Sequence, residues 1–190
     1  MVRGQVPVSE LLGIVRNLNR LTALRRTALL DTPPEEPFDR LTRLAARIIK
    51  APVALVSLVD GDRQFFKSAI GLPEPVRSKR ETPLSHSFCK YAVALHAPLV
   101  IEDARKDPNY HDNPAVRELG FVAYAGVPLI FSGCALGAFC VIDQEPRPWS
   151  YDEVQTLKDL AECAMREVEL RTRVRESEAR VKTLEAGLRN

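Results

Sequence analysis

The chain has 190 residues, 45% of them hydrophobic and 27% charged, with a formal net charge of +2. That is the make-up of a soluble globular protein with one well-filled core plus extensions, and so slight a charge surplus gives no electrostatic footprint for nucleic acid. No apolar run approaches the roughly 20 residues of a membrane span, and "MVRGQVPVSELLG" lacks the apolar stretch and cleavage site of a signal peptide, so a cytoplasmic chain is expected.

In chain order, "SELLGIVRNLNRLTALRRTALL" carries Leu11, Ile14, Val15, Leu18, Leu21, Leu24 and Leu29 near helical period, with Ser9 as a cap. One N-terminal helix is predicted. "DTPPEE" breaks it. Asp31 or Thr32 then starts a second helix with Pro33 and Pro34 in its first turn, and Phe38, Leu41, Leu44, Ala45 and Ile48 form its sheet-facing stripe. "APVALVSLVD" and "RQFFKSAI", joined through Asp60-Gly61-Asp62, predict a hairpin. "GLPEPVRSKRETP" reads as a charged loop. A helix follows over about 85–95, containing "LSHSFCKYAV".

"APLVIED" is a short strand. "ARKDPNYHDNPAVRELG" is a polar connection with one short helix near 113–119, closed by Gly120. "FVAYAGVPLIFSGCALGAFCVID" predicts a second hairpin about Ser132-Gly133. Ser150 and Glu153 have capping-box spacing and open a helix with no breaker for more than 30 residues. The order α-α-β-β-α-β-α-β-β-α predicts an α+β fold. Its centre is an antiparallel sheet of five or six strands with helices packed on one face.

The succession "RLTALRRTALLDTPPEEPFDRLTRLAARIIKAPVALVSLVDGDRQFFKSAIGL", "SFCKYAV", "PLVIEDARKDPNYHDNPAV", "FVAYAGVPL" and "LGAFCVIDQEPRPWSYDEVQTLKDLA" resembles a bacterial GAF domain, over about residues 20–168. The resemblance implies a sheet covered on one face by the second and terminal helices. On the other face it implies a pocket built with the shorter helix and loops. It also implies a regulatory role toward an attached kinase, cyclase or phosphatase. The Asn-Lys…Phe…Asp-Glu signature of cyclic-nucleotide-binding members is missing. Cys89 is followed by Lys90 and not by the histidine usual in bilin-binding members, and the cysteine arrangement of free-methionine-sulfoxide reductases is not reproduced.

Matching positions to the family places Phe66, Phe88, Cys89, Asp103, Tyr110, Phe121, Tyr124 and Cys140 around the pocket. Asp103, Asn109 and Tyr110 are its polar anchors. Strand alternation separates Phe121 and Ala123 from Val122 and Tyr124, so the four cannot all line it. His86 and Cys89, three residues apart, would share one helix face. They could form an imidazole-activated thiolate or two metal ligands. The preferred reading is a small buried thiol beside a polar first-turn residue, since no spacing groups His96 or His111 with them as further ligands. Asp103, Asp107 and Asp112 read as solvated loop residues and helix caps.

A heptad fits the last helix at Leu160, Cys163, Glu167, Leu170, Val174, Ser177, Val181, Leu184 and Leu188, which is a coiled-coil seam interrupted at Glu167 and Ser177. The expected organisation is an N-terminal signalling helix (1–30), a GAF domain (31–168) and a coiled-coil extension (169–190), with dimer contacts through Leu170, Val174, Val181, Leu184 and Leu188. The expected function is a homodimeric sensory domain that binds a small ligand or senses redox state and signals to an output domain or partner protein. No catalytic constellation, metal, nucleic-acid or membrane partner is expected, and no cofactor is named by the sequence. The alternatives are a thiol-dependent redox enzyme using Cys89 or Cys140, and a purely structural dimerisation module.

Overall fold

In the computed structural model, which describes residues 8–188 and the side chains of 10–186, the N-terminal pattern folds as two helices in place of the single one expected. These are α1 (Val8–Val15) and α2 (Leu18–Thr27). Asn17 makes the break: its side chain accepts the N–H groups of Asn19 at 3.0 Å and Arg20 at 3.2 Å, satisfying two donors that a helix start leaves orphaned. Helix α1 begins at Val8, so Ser9 lies inside it; the Ser9 side chain is outside the described residues. Arg20, only 5% exposed, locks the elbow. Its Nε donates to the Val15 carbonyl at 2.7 Å and its Nη1 to those of Val59 at 2.8 Å and Ala135 at 3.3 Å.

Helix α3 is Glu36–Ile49, with Pro37 in its first turn. It starts later than expected because a residue preceding proline is pushed toward extended backbone, which keeps Thr32 and Pro33 out of a helix. Its buried stripe is Phe38, Thr42, Ala45 and Ile49, spaced four, three and four. Ile48, expected in that stripe, is 57% exposed, while Ile49 is 2% exposed.

Strands β1 (Val53–Val59) and β2 (Arg63–Ile70) form the predicted hairpin. The charged loop holds two elements that periodicity did not reveal, helix α4 (Val76–Lys79) and the edge strand β3 (Glu81–Pro83). The helix expected over 85–95 is shorter. Leu84–His86 is a 3-10 turn, Ser87 is extended, and α5 runs Cys89–Leu95 with the Ser87 hydroxyl accepting the Lys90 N–H at 3.1 Å. The remaining elements are β4 (Leu99–Ile101), α6 (Pro114–Glu118), β5 (Ala123–Phe131), β6 (Cys134–Asp143) and α7 (Tyr151–Leu188). The capping box of α7 is formed: Ser150 N–H donates to Glu153 at 2.7 Å and Glu153 N–H to Ser150 Oγ at 3.2 Å.

The six strands make one antiparallel sheet in the order β3-β2-β1-β6-β5-β4. Alternation divides it into two cores. On β6, Phe139 and Val141 enter the core under α2, α3 and α7, while Ala138, Cys140 and Ile142 enter the one under α5 and α1; Leu136, the extra residue at a register shift opposite Leu129 and Ile130, joins the first core. A bulge alters the pattern on β2. Val56 faces Ser68 and Ser57 faces Phe66, so Lys67 is the extra residue. Lys67 and Ser68 both turn toward α3. The Lys67 side chain has no exposed surface; it donates to Thr32 Oγ1 at 2.6 Å and to the Pro33 carbonyl at 2.9 Å, and pairs with Glu35. Ser68 donates to Asp39 at 2.6 Å.

Candidate functional site

The core beneath α5 is where the sequence placed a pocket. Five of the expected residues, Phe66, Phe88, Cys89, Phe121 and Tyr124, do converge on one cavity there. The cavity is about 10 Å³, close to the least space that holds one water. Its own side chains fill the rest. Phe88 sits 5.5 Å from Tyr124 and 6.2 Å from Tyr110, ring centre to ring centre, and Tyr110 packs edge-on against Tyr91 at 5.0 Å. Of Phe121, Val122, Ala123 and Tyr124 only two reach the wall, but they are Phe121 and Tyr124, which alternation puts on opposite faces. Strand β5 begins at Ala123, so Phe121 lies on the approach to it, where its N–H is held by the Ala115 carbonyl at 3.1 Å.

Two expected anchors are elsewhere. Asp103 caps a 3-10 turn, accepting the Arg105 N–H at 3.2 Å and pairing with the Arg105 guanidinium at 2.8 Å, which holds its carboxyl down at about 2. Asn109 is exposed and bonded to Asp107. Neither is part of the wall, nor is Tyr110, the third expected anchor, whose ring packs against Phe88 and Tyr91. The polar wall groups are Gln64, Thr82 and His86. Gln64 and Thr82 went unnoticed because both lie where the charged loop doubles back as β3, with Gln64 Nε2 donating to Thr82 Oγ1 at 2.7 Å. His86 and Cys89 do not share a helix face. The imidazole lies between Ser85 at 2.9 Å and Glu118 at 3.0 Å, tying the 3-10 turn to α6, while Cys89 points inward and is buried as expected.

Behind Cys89 stands Cys140. Their sulfurs are 3.7 Å apart, and the Tyr124 hydroxyl donates to the Cys89 sulfur at 3.5 Å. Gly126 makes this possible. It faces Cys140 across the β5–β6 ladder, and a Cβ there would fall 2.1 Å from the Tyr124 hydroxyl oxygen. The phenol therefore lies flat across the glycine to reach the sulfurs. Hydrogen bonds from Cys140 and Tyr124 favour the Cys89 thiolate and lower its pKa, with burial opposing them. Burial drives Cys140 and Tyr124 well above their ordinary values. Among the described residues, no group of three or more His, Cys, Asp or Glu side chains is gathered in a way that would hold a metal ion.

A second polar cluster marks where α7 leaves the domain. Glu35 pairs with both buried Lys67 and Arg171 of α7, and both cations lie over the Phe38 ring, at 5.4 and 5.8 Å from its centre. One turn on, Arg175 donates to the Thr27 carbonyl at 3.1 Å and the Arg26 carbonyl at 2.8 Å, satisfying the end of α2. The strip beyond is uncovered: Leu170, Val174, Val181 and Leu184 are 61, 57, 49 and 69% exposed. The side chain of Leu188, the last expected seam residue, lies outside the described residues.

A six-stranded antiparallel sheet with long helices on one face, a small enclosed site on the other and a helix running out of the domain makes an α+β module. The GAF domain model matches residues 33–168, and the chain belongs to the GAF family. It is 36% identical over 150 residues to a cyclic di-GMP phosphodiesterase of Pseudomonas aeruginosa; the match covers 77% of this chain and 25% of that protein, so the chain spans about a quarter of its relative's length. In fold it is similar to the GAF domain of an Acinetobacter phosphoenolpyruvate-protein phosphotransferase, with a TM-score of 0.58 and 18% identity over 80% of this chain and 94% of that one. It is equally similar to the blue-light-absorbing form of the Thermosynechococcus elongatus PixJ GAF domain, with a TM-score of 0.57 and 18% identity over 87% of this chain and 96% of that one. No described helix is long and apolar enough to cross a membrane.

Proposed function

We propose that the chain is a cytoplasmic sensory module with an N-terminal helical segment (1–30), a GAF domain (31–168) and a coiled-coil extension (169–190), homodimeric through that extension. It passes its signal along α7 to an output domain or partner. The similarity to part of a cyclic di-GMP phosphodiesterase supports an output of the cyclase or phosphodiesterase kind. The observation that carries the reading is the strip Leu170, Val174, Val181 and Leu184, apolar at heptad spacing and uncovered by its own domain. Ser177 interrupts the seam, which keeps two helix packings close in energy, as a switch requires.

The signal enters at the enclosed site. A space of about 10 Å³ admits nothing larger than water, so the input is either a change of state in the wall's own groups or an opening that a small ligand holds. The same closeness argues against a reductase that holds its substrate in a preformed pocket. Replacing Val181 and Leu184 by aspartate tests the dimer, because like charges would face one another in each seam. Sedimentation is expected to show monomers with the melting of the globular part changed by less than about 0.5 kcal/mol. A dimer of unchanged affinity would remove α7 as the contact.

A further inference from the structure

The enclosed site has a close pair of buried cysteines behind its wall. We propose that Cys89 and Cys140 are a redox site, forming a reversible internal disulfide when a transient opening of the cavity wall lets hydrogen peroxide reach Cys89. The Sγ–Sγ distance of 3.7 Å is already near contact, and an approach of about 1.7 Å completes a bond of ordinary length. Position assigns the roles. Cys89 is in the cavity wall and Cys140 is not, so Cys89 meets the oxidant first and Cys140 waits behind it. The Tyr124 hydroxyl, held over Gly126, donates to the Cys89 sulfur and orients its lone pairs. The favoured thiolate of Cys89, against a Cys140 that burial keeps protonated, agrees with that division.

The chemistry balances in two steps. The Cys89 sulfur attacks hydrogen peroxide, an S–O bond forms as the O–O bond breaks, and the thiol proton leaves on the departing oxygen as water. Cys140 then attacks the sulfenic sulfur. An S–S bond forms, the S–O bond breaks, and the Cys140 proton joins the leaving hydroxide to make a second water. Sulfur loses two electrons in all and the peroxide gains them; a dithiol reverses the bond by exchange. Because Cys89 opens α5 and Cys140 lies on a central strand, the bond draws the helix toward the sheet. Helix α5 packs on α1, so the displacement reaches the N-terminal helix. That the bond acts as the module's input rests on the sensory reading above; the bond itself does not.

The test uses the full chain carrying Cys134→Ser and Cys163→Ser, which removes the two less buried thiols. The protein is treated with hydrogen peroxide, denatured, alkylated, digested and mapped by mass spectrometry. The expected result is a peptide joining Cys89 to Cys140, with both thiols lost to alkylation and both restored by dithiothreitol. Adding Cys140→Ala should arrest the reaction at a Cys89 sulfenic acid that dimedone captures. Full alkylation of both cysteines after peroxide would overturn the proposal, and dimedone capture at Cys140 in a Cys89→Ala chain would overturn the assigned order. Hydrogen exchange separates the two layers: protection altered in α5 and α1 of the oxidised protein supports the input role. A formed bond with unchanged exchange would refute that role while the site stands, and the dimer test is unaffected by either outcome.

Discussion

Helix α7 is one unbroken helix, covered by its own domain along its first half and uncovered along its second. From Tyr151 to Thr172 its buried residues are Leu157, Leu160, Ala161, Ala164, Met165, Val168 and Thr172, and they lie on the domain's own sheet and α3. From Leu170 to Leu184 its apolar residues face outward. The heptad drawn from the sequence crosses both halves, yet in the first it does not follow the buried stripe. Leu160 is buried, Cys163 is exposed and Glu167 half-buried, so the uncovered apolar strip begins only at Leu170. A repeat of three and four says that a helix has an apolar face. It does not say what covers it; that depends on where the sheet ends.

The contrast can be tested from the domain side first. Phe139 lies on β6 in the core that the first half of α7 seals. Phe139→Ala should cost about 3–5 kcal/mol in chemical denaturation, with the dimer's affinity for itself unchanged. A loss below about 1 kcal/mol would mean that the first half of α7 does not close a packed core.

The point where the halves part is expected to give an intermediate effect. Glu35→Gln leaves the buried Lys67 ammonium without its anion and frees Arg171, and should cost about 1–3 kcal/mol. Partial burial raises the Glu35 pKa, but the hydrogen bonds and charges of Arg171 and Lys67 outweigh it, so the folded value lies below 4.5. A carboxylate with a depressed folded pKa gives stability that is full above its unfolded value and lost as pH falls through the folded one. The gap between wild type and Glu35→Gln should therefore be constant near neutrality and close below pH 4.5. A gap that persists in acid would show that the junction is held by packing alone. The smallest change is expected in the enclosed site, remote from α7. Tyr124→Phe removes one hydrogen bond to sulfur and should cost about 1 kcal/mol or less by thermal melting, with α7 unaffected.

Local signals carried much of the fold. Asp60-Gly61 and Ser132-Gly133 marked both hairpins, and Ser150 with Glu153 marked the start of α7, because each rests on residues within a few positions. The Asn17 break was missed because apolar period continues across it, and a single capping side chain outweighs the period there. In the site, family position named Phe66, Phe88, Phe121 and Tyr124, which line the cavity, and also Tyr110, which does not. The meeting of Cys89 with Cys140 was not legible there, since it depends on the register of β6 against its neighbours and on a glycine that lets a tyrosine lie flat. The bulge that turns Lys67 inward, and the near-complete filling of the cavity, are likewise products of packing that no periodicity encodes.

What the outer half of α7 touches decides most directly between a dimeric and a monomeric signalling module. In the Cys134→Ser/Cys163→Ser background, a cysteine placed at Leu184 lies on the proposed seam, and one placed at Ala179 lies on the opposite helix face. Under mild oxidation, Leu184→Cys is expected to give a covalent dimer that survives denaturing electrophoresis and disappears with reductant, while Ala179→Cys stays monomeric. Equal cross-linking at the two positions, or none at Leu184→Cys, would contradict a parallel seam along α7 and with it the route by which the domain is proposed to signal.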